Sequence, residues 1–243
     1  MRKMMLAAAA AALIAAGGGC GQMIGAANAA SPAAQGPVVE KSIADLQAEL
    51  ASGRTTSEQL VKAYQKRIQA IDKAGPHINS VLALNPDALA QARQLDAERK
   101  AGKLRGPLHG IPILIKDNIE SADNMATTAG SLALKDNVTR RDAPLVARLR
   151  AAGAIILGKT NLSEWANIRS TRSSSGWSAV GGLTRNPYAL DRSACGSSSG
   201  SGAAAAASLA AAAIGTETDG SITCPSAING LVGIKPKIGR AHV

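Results

Sequence analysis

Histidine is scarce in this chain. His77, His109 and His242 stand alone, and no Cys-x-x-Cys or His-x-x-x-His spacing occurs. A metal site needs at least three convergent ligands, so metal catalysis is set aside. A serine hydroxyl can still act as a nucleophile if a base lies within hydrogen-bond reach, and an uncharged lysine is such a base. Lys116 meets the requirement on paper, because it follows the apolar run Ile113-Leu114-Ile115 and burial at the end of that run favours the neutral amine. Taken by itself, the same residue reads more simply as a lysine snorkelling to solvent at a strand end.

Two further segments could supply serines to that base. In Cys195-Gly-Ser197-Ser-Ser-Gly-Ser-Gly202, small residues let the backbone take strained conformations and bring several hydroxyls and amides together; the plainer alternative is a flexible linker. In Gly215-Thr-Glu-Thr218-Asp219-Gly220-Ser221-Ile-Thr-Cys-Pro225, successive amides of a tight turn can converge on a developing oxyanion with Ser221 beside them, although alone it is an ordinary turn. Two other patterns fail on context. Gly153-Ala-Ile-Ile-Leu-Gly158-Lys159-Thr160 has the spacing of a phosphate-binding loop, but an apolar strand fills the place where that loop must be flexible. Gly196-Ser-Ser198-Ser-Gly200 has the spacing of a nucleophile elbow, but no apolar strand precedes it.

The elements that must position these residues are legible from periodicity and capping. Ser42 with Asp45 three residues on starts a first helix, which Gly53 closes. Thr56 and Gln59 form a capping-box pattern, followed by Val61, Tyr64, Ile68 and Ile71 at helical spacing as far as Gly75-Pro76. A short strand is predicted at 81–84, a helix at 87–101, a buried strand at 113–115, a helix at 144–152 and a buried strand at 154–157. This alternation predicts an α/β sheet with helices on its faces. The stretch 169–201 reads as a long functional loop, and 202–213 as an almost pure Ala helix.

Composition bounds the rest. The chain of 243 residues has no Phe, and Tyr64, Tyr188, Trp165 and Trp177 are its only aromatics, so the core is built largely of small aliphatic side chains. Its formal charge is +10. The basic residues are spread along helices without aromatic interleaving, so a nucleic-acid partner is not expected. Residues 1–29 read as an export signal: Arg2 and Lys3 form the positive end, an apolar stretch follows, and Ala27-Asn-Ala29 offers a cleavage site. The competing reading is a lipoprotein signal cut before Cys20, which would make a lipid on Cys20 the chain's membrane contact. Either reading places the mature chain outside the cytoplasm, periplasmic or secreted. Residues 30–41 read as a linker, and Cys195 and Cys224 as two small buried thiols rather than a pair.

Together the three segments resemble the amidase-signature family. The residues that carry the resemblance are Gly110-Ile-Pro-Ile-Leu-Ile-Lys116-Asp-Asn, 195–202, 215–225 and Gly233-Ile-Lys-Pro236. The resemblance implies an α/β/α fold around a central mixed sheet, with no cofactor. It gives Lys116 the role of base, Ser197 that of the cis-peptide serine relaying the proton, and Ser221 that of nucleophile. The amides of Thr218, Asp219, Gly220 and Ser221 would then form the oxyanion hole. Within the family, Thr160-Asn-Leu-Ser-Glu-Trp-Ala166 and Ser173-Ser-Ser-Gly-Trp177 are most similar to bacterial peptide amidases, which implies a peptide C-terminal carboxamide as substrate and ammonia as product. A general or aryl amidase is the alternative within the family. The amidotransferase subunit is disfavoured, since that role is cytosolic. Cys195 and Ser199 stand where many members have Gly, Asp219 replaces a Gly and Thr223 a frequent Arg. Family members also continue well past the signature, so 42–243 reads as the N-terminal portion of an amidase domain with its C-terminal part missing, and an inactive binding fragment is the alternative from another class.

Overall fold

The computed structural model describes residues 36–236, all within one compact unit, Pro32–Val243. The expected export signal, its cleavage site, Cys20, the start of the linker and His242 lie outside the described residues. Helix α1, Ile43–Ala51, is closed at its start by a capping box between Ser42 and Asp45, and α2, Ser57–Arg67, by one between Thr56 and Gln59. Each box satisfies two of the backbone N–H groups that a helix start leaves without partners. The run that follows α2 continues through Ile71 as a widened turn, Ile68–Asp72, ending where the buried Asp72 carboxylate accepts N–H bonds from Ser80 and Val81.

The remaining elements are β1 (Val81–Leu84), α3 (Ala88–Lys100), β2 (Pro112–Lys116), α4 (Pro144–Ala151), β3 (Ile155–Thr160), a two-stranded hairpin of β4 (Trp177–Ser178) and β5 (Gly182–Leu183), α5 (Ser199–Ala206), β6 (Ala212–Ile214) and α6 (Thr223–Ile228). The main sheet has the order β1-β3-β2-β6. β1 runs antiparallel to β3, while β3 and β6 both run parallel to β2, so the sheet is mixed. β2 and β3 are buried along their whole length, as central strands covered on both faces must be. Leu114 packs in a cluster with α1, α2, α3 and α5, and its neighbour Ile115 packs in a second cluster with Val146 of α4. Successive strand side chains point to opposite faces, which makes this a helix–sheet–helix sandwich, the α/β/α arrangement expected.

Three sequence expectations need correction. The Ala-rich run 202–213 is not one helix. α5 begins earlier, at Ser199, and stops at Ala206; Ser208 then takes a positive φ of 53° and the chain turns into β6. Ala212, Ala213 and Ile214 pair with Ile113, Leu114 and Ile115 of β2, so sheet hydrogen bonds override the helical preference of alanine, which is a weak local bias. The long loop 169–201 contains the β4–β5 hairpin. The two cysteines are joined: Cys195 and Cys224 form a disulfide across Cα atoms 6.0 Å apart.

Gly200 shows how tightly α5 is seated. A methyl group there would fall inside contact distance of the backbone of Ser80 and Asn161, neither of which can swing aside. Gly200→Ala is expected to cost about 3 kcal/mol of unfolding free energy, the upper end of the range for overpacking, as read from urea denaturation. A loss under about 1 kcal/mol, below that range, would show that α5 is free to shift.

Candidate active site

β2 ends on Lys116, whose side chain is fully buried. Its Nζ lies 2.8 Å from Ser197 Oγ, 2.9 Å from Thr216 Oγ1 and 3.2 Å from the Thr216 carbonyl. Asn118 Nδ2 donates to the same Thr216 hydroxyl at 3.0 Å. Burial pushes the Lys116 amine down to about 7, against a smaller upward pull from the Glu217 carboxylate. A neutral amine has two N–H donors and one lone pair. The two oxygens of Thr216 can take the donors, which leaves the lone pair facing Ser197.

Ser197 follows a cis peptide bond from Gly196, and Cys195 before it has φ 58°. Gly196 is packed so closely that a side chain there would meet Ser163 Oγ. Ser163 holds the segment from the other side: its N–H donates to the Ser197 carbonyl at 3.0 Å, and its Oγ accepts the Gly176 N–H at 2.9 Å. Ser197 Oγ is 3.0 Å from Ser221 Oγ, and the Ser198 N–H donates to the Ser221 carbonyl at 3.1 Å. Lys116, Ser197 and Ser221 therefore form one continuous row of hydrogen-bonding atoms, drawn from β2, the 195–198 segment and the turn before α6.

Thr218, Asp219 and Gly220 lie in the turn that leads into Ser221, with Gly220 at φ 72°. Among the described residues the N–H groups of Thr218, Asp219 and Ser221 donate to no protein acceptor. The Glu217 carboxylate accepts the N–H groups of Ile222 at 2.5 Å and Thr223 at 2.8 Å. Burial acts to raise its pKa, but these bonds, with the Gly220 N–H, hold it below the usual carboxylate value. His109 stands apart from the row. It is buried, its Nδ1 accepts the Arg105 N–H at 3.1 Å, and its Nε2 lies 2.9 Å from the Leu95 carbonyl.

Sequence reasoning gave no role to four residues that shape this site. Thr216 and Glu217 lie inside the quoted segment 215–225, Asn118 two residues after Lys116, and Ser163 inside 160–166. Their signal was present only as membership of those segments, because a side chain that orients another has no spacing rule of its own. Lys159, on β3, is a second fully buried lysine, pushed down to about 8 by burial, and it donates to the Ile119 carbonyl at 2.6 Å and Thr127 Oγ1 at 2.8 Å. It completes a strand rather than a phosphate loop.

A mixed α/β sandwich with a Lys–Ser–Ser row at one end of its sheet defines the class, and comparison with known proteins gives the family. The family model described as Amidase matches residues 59–241, and the chain belongs to that family. The crystal structure of native peptide amidase from Stenotrophomonas maltophilia superposes with a TM-score of 0.82 at 60% identity, over 84% of this chain and 41% of that one. A structure of the peptide amidase PAM in complex with the competitive inhibitor chymostatin matches with the same TM-score of 0.82, identity of 60% and coverage of 84% and 41%. A putative amidase of Schizosaccharomyces pombe is 46% identical over 200 residues, 82% of this chain and 34% of the relative. The chain thus spans well under half the length of each.

The depressed Lys116 amine has a consequence for stability that requires no substrate. Its folded pKa of about 7 lies below the ordinary value of 10.5, so between these pH values the unfolded chain holds a proton that the folded chain does not. Stability from this group therefore rises with pH across that window and is lost as pH falls towards 7, with a slope of at most about 1.4 kcal/mol per pH unit. In Lys116→Met the measured slope of unfolding free energy between pH 7 and 10 is expected to be shallower than in the unaltered chain by up to that amount. Equal slopes would mean that Lys116 stays charged in the folded protein.

Proposed function

We propose that this chain carries the catalytic segments of an amide hydrolase acting on the C-terminal carboxamide of peptides, or on related small amides, and releasing ammonia. The observation that supports this reading most directly is the row Lys116 Nζ, Ser197 Oγ and Ser221 Oγ, with successive spacings of 2.8 and 3.0 Å. Hydroxyl protons rotate to suit their partners, so the row can carry a proton from Ser221 through Ser197 to the neutral Lys116. Ser221 Oγ bonds to the substrate carbonyl carbon as it gives up that proton. The negative charge that develops on the carbonyl oxygen is met by the N–H groups of Thr218, Asp219 and Ser221, while the Gly220 N–H, expected from the sequence to join them, is held by Glu217. Collapse of this intermediate breaks the C–N bond, and the proton returns from Lys116 through Ser197 to the departing nitrogen, which leaves as ammonia. Water then attacks the Ser221 ester by the same route and releases the acid.

The substrate class is supported by the similarity of two segments to peptide amidases. The segments most similar to peptide amidases, 160–166 and 173–177, contribute Glu164, Trp165 and Trp177 to an open cleft of about 430 Å³, together with Arg169 and Arg172. Ser163, the residue before Glu164, donates its N–H to the Ser197 carbonyl. Export is supported by the Arg2-Lys3 start followed by an apolar stretch, and by the Cys195–Cys224 disulfide, since such bonds persist in oxidising compartments.

The test is ammonia release from an amidated dipeptide, measured for the 243-residue chain and for a form continued at its C-terminus with the remainder of the Stenotrophomonas relative. The continued form is expected to release ammonia. In it Ser221→Ala should abolish turnover, Ser197→Ala and Lys116→Ala should lower it by about 10²- to 10⁴-fold, and His109→Ala should retain most of it. No ammonia from either form would refute the hydrolase reading and favour a binding role, and a His109→Ala loss larger than that of Lys116→Ala would overturn the choice of base.

A further inference from the structure

The disulfide lies at an unusual place relative to the two serines. Cys195 is two residues before Ser197, and Cys224 is three residues after Ser221, so a single covalent bond ties the segment of one serine to that of the other. Within its own segment the turn is held by the Glu217 carboxylate, which accepts the N–H groups of Ile222 and Thr223, but little of the segment is buried. Thr218 and Asp219 are exposed, Ser221 is half-buried, and the six-residue α6 that follows buries only Pro225. So short a helix has almost no stability of its own. Among the described residues the polar ties across the gap besides the bridge are the Ser197–Ser221 contact, the Ser198 N–H to the Ser221 carbonyl, Ser198 Oγ accepting the Thr216 N–H at 3.2 Å and donating to the Thr216 carbonyl at 3.1 Å, and Asn229 Nδ2 to the Ala194 carbonyl at 3.0 Å.

We propose that the Cys195–Cys224 disulfide is a positioning device for the reaction: it clamps the Ser221 turn and α6 against the Gly196–Ser197 segment, so that the 3.0 Å Ser–Ser spacing needed for proton transfer persists. The proposal rests on the hydrolase reading for its catalytic meaning, but the clamp itself does not. Cys195 and Cys224 touch no reacting atom; they act through the two backbones they join. The side chain at 195 must also sit at φ 58°, a conformation that favours glycine, and a cysteine there gains the bridge in exchange for that cost. Loss of the bridge would leave the core sheet intact and free the nucleophile turn, and displacement of reacting groups by about 1 Å can cost 10²-fold in rate.

The test compares oxidised protein, protein reduced by dithiothreitol, and the double variant Cys195→Ser/Cys224→Ser. Reduction transfers two electrons and two protons from the dithiol to the bridge, giving two cysteine thiols and the cyclic disulfide of the reagent. Non-reducing peptide mapping of protein made without reductant should show the 195 and 224 peptides joined. Amide hydrogen exchange in 217–226 should accelerate roughly tenfold or more on reduction, while β2 and β3 remain as protected as before. On whichever form of the chain releases ammonia, kcat should fall roughly 10- to 100-fold with KM changed less than about threefold. The double variant should match the reduced protein and be indifferent to dithiothreitol. Free thiols in the unreduced protein would overturn the proposal, as would exchange and kcat that do not change on reduction. Faster exchange in a protein that never releases ammonia would overturn the hydrolase reading and leave the clamp standing.

Discussion

The site is organised around one buried lysine. An ammonium group removed from water is costly unless it is paired, and Lys116 has been given no carboxylate to pair with: its nearest partners are the hydroxyls of Ser197 and Thr216 and one carbonyl. Release of the proton relieves most of that cost, so burial at the end of β2 lowers the proton affinity of the amine. Glu217 works in the opposite sense and keeps the amine from being pushed down further. The balance leaves the amine near neutrality, which is where proton transfer in both directions is easiest.

Most of the remaining architecture can be understood as bringing two serines to that amine. β2 is the central strand, with β3 on one side and β6 on the other, and β6 leads within two residues to Thr216. The return of the chain from β6 beside β2 thus places Thr216 on Lys116 and Ser221 a short turn further on. Ser197 arrives from the far side of α5, and glycines at 196 and 200 allow its segment to lie against Ser163, Ser80 and Asn161 at distances a side chain would forbid. Glu217 and the Cys195–Cys224 bridge then fix the turn from its two sides, one by accepting the first N–H groups of α6 and the other by a covalent tie.

Where local chemistry decided the structure, the sequence was readable. The capping boxes at Ser42 and Thr56, the buried runs of β2 and β3, and the glycines after α1 and α3 all act within a few residues of themselves. Reading failed where a distant partner decided. Ala212–Ile214 looks helical by composition and becomes a strand because β2 offers it hydrogen bonds. Cys195 and Cys224 are 29 residues apart, and only the packing of α6 beside the 195–198 segment brings them to bonding distance. The three residues assigned from family resemblance do converge in space, whereas Thr216, which supplies two of the three contacts to the amine, stood unremarked inside a quoted motif.

The central claim is that Ser221 is the reacting end of the row and Ser197 its interior. Mass spectrometry after treatment with an amide-directed covalent inhibitor separates the two serines, because only the reacting one keeps the adduct. The account predicts a single adduct on the peptide that contains Ser221, and none in Ser221→Ala. An adduct on Ser197, or labelling that survives Ser221→Ala, would contradict it.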